Sequence, residues 1–299
     1  MTLRIGDLAQ SSRLTATMLG VQGRLREAQA AVSSGKAAAS FDQIADRAAE
    51  LLRVRDTRTV RSALAAQNDR LGQELQVADG AMAAVIDVAD RARVALVQRL
   101  DGGLGDEVQL DAEIDSLLAE VEDSLNTRFN GRYLFGGTRT DAAPVSLPSP
   151  PPTTADPTAY YRGDQVRLTA RADLGVEVTY GVTADAAPFA ALIGALGQAR
   201  DAHLNDDRAG LAAASSAMET ALGGLTDLRA QVGIAAERLE SIAEGQRTTV
   251  LYLDEVTSSI EDVDLAAVMT RIASDQASLE AAYTITGRLA ALSLADYLR

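Results

Sequence analysis

The chain contains no cysteine, no tryptophan, one histidine and one lysine. Without cysteine there is neither a disulfide framework nor a thiolate to act as nucleophile or ligand. His203 alone cannot make a His/Cys zinc set. Its polar setting, Arg200-Asp201-Ala202-His203, reads as solvent-exposed surface rather than as the base of a triad. No apolar run approaches the roughly 18 residues of a membrane span. The opening MTLRIGDLAQSSRL lacks the apolar core of a cleaved secretory signal. A net charge of −14, from 42 acidic and 28 basic residues, argues against nucleic acid as the main partner. Phosphate loops and dinucleotide fingerprints are missing too, since Gly102-Gly103-Leu104-Gly105 has neither the spacing nor the preceding strand. Asp206-Asp207 reads as helix-capping acid rather than a catalytic pair. No enzymatic constellation and no cofactor is expected.

Aromatics are only 4% of the chain. Alanine dominates the apolar residues, and small side chains bury little area each, at ~0.8 kcal/mol per methylene. That composition suits helices packed close together better than a thick core. Proline is confined: all seven lie between Pro144 and Pro188. An interior proline costs a helix ~3 kcal/mol, so the two proline-free flanks can be continuous helices around a short irregular insert.

Hydrophobic spacing agrees. Leu14, Met18, Val21, Leu25, Ala28 and Val32 form one stripe, stopped by Ser33-Ser34-Gly35. A second run, Gln43 to Leu100, uses Ile44, Leu51, Val60, Leu64, Leu75, Met82, Val85 and Leu96, and Asp101–Gly105 then turns the chain. A third helix is expected from Glu107 to Arg128, where the outer face is acidic. Past the insert, the second arm starts near Pro188. Leu239, Ile242, Gln246, Thr249, Leu253, Val256, Ile260, Val263 and Ala267 keep a 3-4 alternation, a coiled-coil seam. Gly223-Gly224 should weaken this arm, and Asp264 should cap a final helix. In the insert, Val166–Ala170 and Val176–Tyr180 read as a hairpin around Ala172–Gly175. Arg162-Gly163-Asp164 spells an adhesion tripeptide but is also ordinary turn chemistry. The expected fold is mainly α: an elongated antiparallel helical bundle or coiled coil formed by the two arms, with a small β-containing insert at the end away from the termini.

The aromatics that do occur are concentrated. Three of the eleven Phe and Tyr residues fall in Phe129-Asn130-Gly131-Arg132-Tyr133-Leu134-Phe135, followed by Gly136-Gly137. Asn130-Gly131 tolerates positive φ and predicts a tight reversal. Phe129, Tyr133 and Phe135 would fill space that alanine leaves at a bundle end, and Gly136-Gly137 would release the chain into the insert.

Two terminal segments carry a resemblance. Ser258 to Arg299, ending Leu292-Ser293-Leu294-Ala295-Asp296-Tyr297-Leu298, and Leu25 to Lys36 (LREAQAAVSSGK) resemble the two ends of the bacterial flagellin family. Within that family, Gly131–Pro144 and the short insert with Tyr161-Arg162-Gly163-Asp164 are similar to the members joining hook to filament, while Phe129-Asn130-Gly131 is also found in filament-forming members. A reduced filament subunit therefore stays open, as does a cytoplasmic coiled-coil rod. The resemblance implies five segments: 1–42 and 264–299 as inner-tube assembly helices, 43–140 and 189–263 as two halves of a helical rod, and 141–188 as an outer insert. It implies an assembly interface on Leu14, Met18, Val21, Leu25, Val268, Ile272, Leu279, Tyr283, Leu289, Leu292, Leu294, Tyr297 and Leu298. These stripes are expected to lack a partner in the free monomer and to fold on assembly. The implied partners are further copies of the chain in a ring or helix, a neighbouring hook-associated protein, flagellin, and an export chaperone on the C-terminal helix. The implied location is the extracellular flagellum, reached by the flagellar type III export route without a cleaved signal.

Overall fold

The structure is a computed structural model that describes residues 2–37, 45–101 and 109–297, with side chains for 12–37, 47–101 and 109–288. Of the expected turn Asp101–Gly105, Asp101 is the last residue of a helix and the rest lies outside the described residues, as does the start of the second run at Gln43. The described chain is mainly helical: α1 (Thr2–Ser34), α2 (Ala45–Asp101), α3 (Leu110–Leu125), α4 (Ala187–Leu204), α5 (Arg208–Glu261) and α6 (Leu265–Tyr297). Two short antiparallel pairs complete it, β1 (Arg128–Phe129) with β2 (Arg132–Tyr133), and β3 (Thr169–Asp173) with β4 (Val176–Thr179). No helix among the described residues is long and apolar enough to cross a membrane.

The chain divides into two units. The first takes Met1–Val60 and Thr249–Arg299, the second Arg61–Thr248.

In the first unit α1 lies against α6. Gly35 ends α1 as expected: it takes φ +71°, and its N–H bonds the Ala31 carbonyl at 2.9 Å. The turn after α1 is joined to the turn between α5 and α6. Ala37 N–H donates to Glu261 O (2.7 Å) and Val263 N–H to Gly35 O (3.1 Å). Lys36, the one lysine, reaches Asp262 at 2.7 Å and Glu261 at 3.2 Å. Asp264 caps α6 through the Ala267 N–H at 3.0 Å. The long 3-4 stripe therefore stops at Ile260, because the chain leaves helix at Asp262; Val263 lies in the turn and Ala267 is exposed on α6.

In the second unit α3 and α4 pack together and join α2 and α5 in one apolar core. α3 buries Leu110, Ile114, Leu117, Leu118, Val121 and Leu125. α4 begins with Pro188 in its first turn, where the missing N–H is unneeded, and buries Leu192, Ile193 and Leu196 against Met82, Val85, Leu96, Met218 and Leu225. The second arm is thus two helices up to Glu261, the second starting just after Asp206-Asp207. Asp206 takes φ +48° and Asp207 N–H bonds Ala202 O at 2.8 Å, turning α4 into α5. His203 is half-buried at this corner instead of exposed: its Nδ1 accepts from Arg99 Nε at 3.1 Å, because the corner folds back on the end of α2. Gly223-Gly224 does not interrupt α5, and a side chain at Gly224 would press on Pro188 at 3.0 Å, so the glycine makes room for α4 to start.

Paired charges line the exposed sides of the second unit. Arg229 grips Asp79 with two bonds of 2.6 and 2.8 Å, Arg200 meets Asp115 at 2.7 Å, and Arg91 meets Glu120 and Asp87. Exposed pairs of this kind contribute modestly, so burial dominates.

The insert differs from expectation in two respects. Its first strand begins at Thr169, with Ala172 buried on the strand and only Leu174-Gly175 in the turn; Val166 is exposed and lies outside the strand. It also rests beside Arg61 to Asn68 of α2 and Gln246 of α5, not beyond the far end of α2. That far end, at Arg99, is occupied by the α4–α5 corner. The reason is length: α3 and α4 have 16 and 18 residues and the insert connects them, so it leaves the core part-way along the 57 residues of α2.

Leu196→Ala, at a fully buried α4 position, should cost about 2–5 kcal/mol, read as a lower urea midpoint with unchanged slope.

Candidate assembly surface

The α1 stripe faces α6. Val21 and Ala28 are buried, and Leu14, Met18 and Leu25 are half-buried. On α6, Leu279 is buried and Val268 and Ile272 are half-buried. Leu298 lies outside the described residues, as do the side chains of Leu289, Leu292, Leu294 and Tyr297. For the described residues, the expectation that these stripes have no partner within one chain fails: α1 and α6 cover each other's stripe in whole or in part, which removes two apolar faces from water. Tyr283 departs from the rest. The residue is 52% exposed, with its hydroxyl accepting from Gln22 Nε2 at 2.8 Å.

A residue that the apolar pattern hides sits in the same seam. Val268, Ile272, Asp275, Leu279 and Ala282 keep the 4-3-4-3 spacing, so Asp275 occupies an apolar position and is buried. Arg24 reaches it across the seam at 3.2 Å, while its Oδ2 has no hydrogen-bond partner. The heptad count alone would have found it.

Outside the seam, the pair leaves a second apolar set uncovered. Leu19, Leu265, Met269 and Ile285 are half or more exposed.

The aromatic stretch is a built structure. Asn130 (φ +49°) and Gly131 (φ +80°) make the tight reversal between β1 and β2. Phe135 is buried edge-on to Phe189 of α4, centroids 6.1 Å apart at 77°. Tyr133 is buried under the Arg128 guanidinium, 4.1 Å from the ring centre. Phe129 is half-buried, and Asn130 and Gly131 are exposed at the tip. The rings close the layer of four helices, although α2 and α5 continue past it. Gly136 and Gly137 are both buried. Gly137 takes φ +68°, and a Cβ there would collide with the Asp164 carboxylate. That carboxylate is fully engaged: it accepts from Thr138 N–H (3.1 Å), the Thr138 hydroxyl and Val166 N–H (2.9 Å), bonds that hold its pKa below the usual range. Arg162-Gly163-Asp164 is accordingly turn chemistry.

Beside the hairpin lies an open recess of about 200 Å³, lined by Arg70, Glu74, Phe129, Arg132, Tyr133 and Thr140 among others. Burial pushes the Glu74 carboxyl up, and the charge of Arg132 opposes the rise. Among the described residues, no group of His, Asp and Glu could hold a metal ion.

Comparison with known proteins places this geometry. The model of the bacterial flagellin N-terminal helical region matches residues 5–140, and that of the C-terminal helical region matches residues 215–298. The chain belongs to the bacterial flagellin family. The first region holds α1, α2 and α3 and the second most of α5 with α6, so the α1–α6 pairing joins one family region to the other. Solved structures share the fold. One is a candidate flagellar hook-associated protein from Vibrio parahaemolyticus, with TM-score 0.63, 16% identity, and coverage of 74% of this chain and 100% of that one. Another is FlgL of Bacillus cereus, with TM-score 0.52, 19% identity, and coverage of 63% and 98%. No curated protein sequence matches the chain.

Glu74 yields a pH test. Its folded pKa is raised, so its contribution to stability is complete below the unfolded value and is lost as pH rises through the folded one. Glu74→Gln should therefore raise the thermal midpoint at pH 7 and leave it unchanged at pH 3.

Proposed function

We propose that this flagellin-family chain is a structural subunit that joins the flagellar hook to the filament. The observation that carries the reading is the size and placement of what lies between the two family regions. It is a compact insert, folded back on α2 and α5 by its single β3–β4 hairpin. Two solved proteins with hook-associated or FlgL names share the fold over nearly their whole length, which supports the same reading.

In this scheme residues 1–42 and 264–299 are the inner-tube helices, 43–140 and 189–263 form the rod, and 141–188 face outward. The seam residues hold α1 to α6, and the uncovered set around Leu19, Leu265 and Met269 meets other copies of the chain. Tyr283, half exposed, joins that set. Hook-associated protein binds on one side and flagellin on the other. Export follows the flagellar type III route, with a chaperone holding the C-terminal helix until the chain leaves the cell.

The test is a gene deletion examined by electron microscopy, with the medium blotted for flagellin. Bare hooks with flagellin leaking into the medium are expected. Loss of secreted flagellin itself would make the chain a filament subunit, and normal flagella with the protein confined to cells would overturn the proposal in favour of a cytoplasmic rod. Removal of Asp264–Arg299 should abolish both secretion and chaperone capture; capture that survives the deletion would remove the chaperone from the scheme.

A further inference from the structure

The β3–β4 hairpin carries an irregularity at the point where it meets the helices. Arg171 pairs with Glu177 and Asp173 with Val176, so the register shifts between Arg171 and Asp173 and leaves Ala172 as the extra residue. A bulge takes its residue out of the regular ladder and re-aims its backbone groups. Here the Ala172 carbonyl turns into the α2–α5 seam and accepts two hydrogen bonds, from Asn68 Nδ2 at 2.8 Å and from Gln246 Nε2 at 2.9 Å. The two amides also bond each other, Asn68 Nδ2 to Gln246 Oε1 at 3.2 Å. All three residues are removed from water: Asn68 is 1% exposed, Gln246 2% and Ala172 0%.

Gln246 stands in the 3-4 stripe of α5 where an apolar residue would otherwise be, and Asn68 faces it from α2. A buried amide pair in a helical seam is less stabilising than leucine, and here Asn68 Oδ1 is left without a hydrogen-bond partner, but the three bonds that are made require one alignment of the helices, so the pair selects a register. A slip of either helix would separate the amides from each other and from the carbonyl. Each buried polar group left without a partner costs about 1–3 kcal/mol.

We propose that the bulged Ala172 carbonyl, Asn68 and Gln246 form a three-member lock in which the hairpin backbone completes a polar layer of the α2–α5 seam. The lock fixes the register of the two long helices and the position of the insert together. Asn68 and Gln246 act as positioning residues. Two outer contacts brace the lock without entering it: Arg61 pairs with Asp173, and Gln67 Nε2 donates to Arg171 O at 3.2 Å. The lock follows from the geometry alone and is independent of the flagellar reading.

The test is hydrogen exchange on the full-length chain, comparing hairpin amides with those of α2 and α5. Replacing both amides, Asn68→Leu with Gln246→Leu, leaves an apolar seam but no donor for the Ala172 carbonyl. Exchange across Thr169–Thr179 is expected to rise at least about tenfold, while the flanking turns of α2 and α5 stay protected. Hairpin protection equal to that of the unmodified chain would overturn the proposal, as would loss of protection confined to the helices. A second variant guards against a chain that does not fold. Asn68→Asp keeps the shape but donates only when protonated, so its hairpin should be protected at acidic pH and loosened at neutral pH, relative to the unmodified chain at the same pH. A pH-independent difference would sink the lock.

Discussion

A helix with a single apolar stripe gains little by folding alone, because the stripe remains in water and the backbone still loses its freedom. That constraint governs this molecule. Each stripe near the start of the sequence is covered by one near its end: α1 by α6, and the outer turns of α2 by those of α5. Between these pairings α3 and α4 supply two further helices, and only there does the core include many fully buried large side chains. The order of the chain follows from the need for cover. Short loops would place neighbours in sequence side by side, but the stripes require partners drawn from opposite ends.

Alanine makes close approach possible and also leaves gaps. The aromatic stretch after α3 fills one of them. Phe135 meets Phe189 from α4, and Tyr160 is fully buried nearby with its hydroxyl donating to the Ala184 carbonyl at 3.0 Å. Burial drives the Tyr160 hydroxyl toward its neutral form, with Asp185 adding to the effect. In a protein with so few rings, three of them converge where the helical layer ends and the chain must reverse, pass through the proline-rich segment and return.

Much of this was legible in the residues. The confinement of proline marked the insert, Gly35 and Asp264 marked helix ends, and Asn130-Gly131 marked the reversal, because each of these is decided by local backbone chemistry. What was not legible depended on distant partners. The bulge at Ala172 has no glycine to announce it, and its shape answers to Asn68 and Gln246, far away in sequence. Asp275 reads as an ordinary surface acid until the heptad count places it opposite Arg24. His203 and the resting place of the hairpin were missed for one reason: the lengths of α3 and α4 decide which part of α2 each segment meets.

The turn that follows α1 has a further consequence. Its Lys36 is the one lysine among 28 basic residues, held against Glu261 and Asp262. A protease specific for lysine therefore has a single bond to cut in the entire polypeptide, and that bond separates α1 from everything that follows. An acylating reagent likewise meets one side-chain amine, and modifying it removes the positive charge between two carboxylates. The joint that fastens α1 to the start of α6 thus also carries the one lysine amine of the sequence.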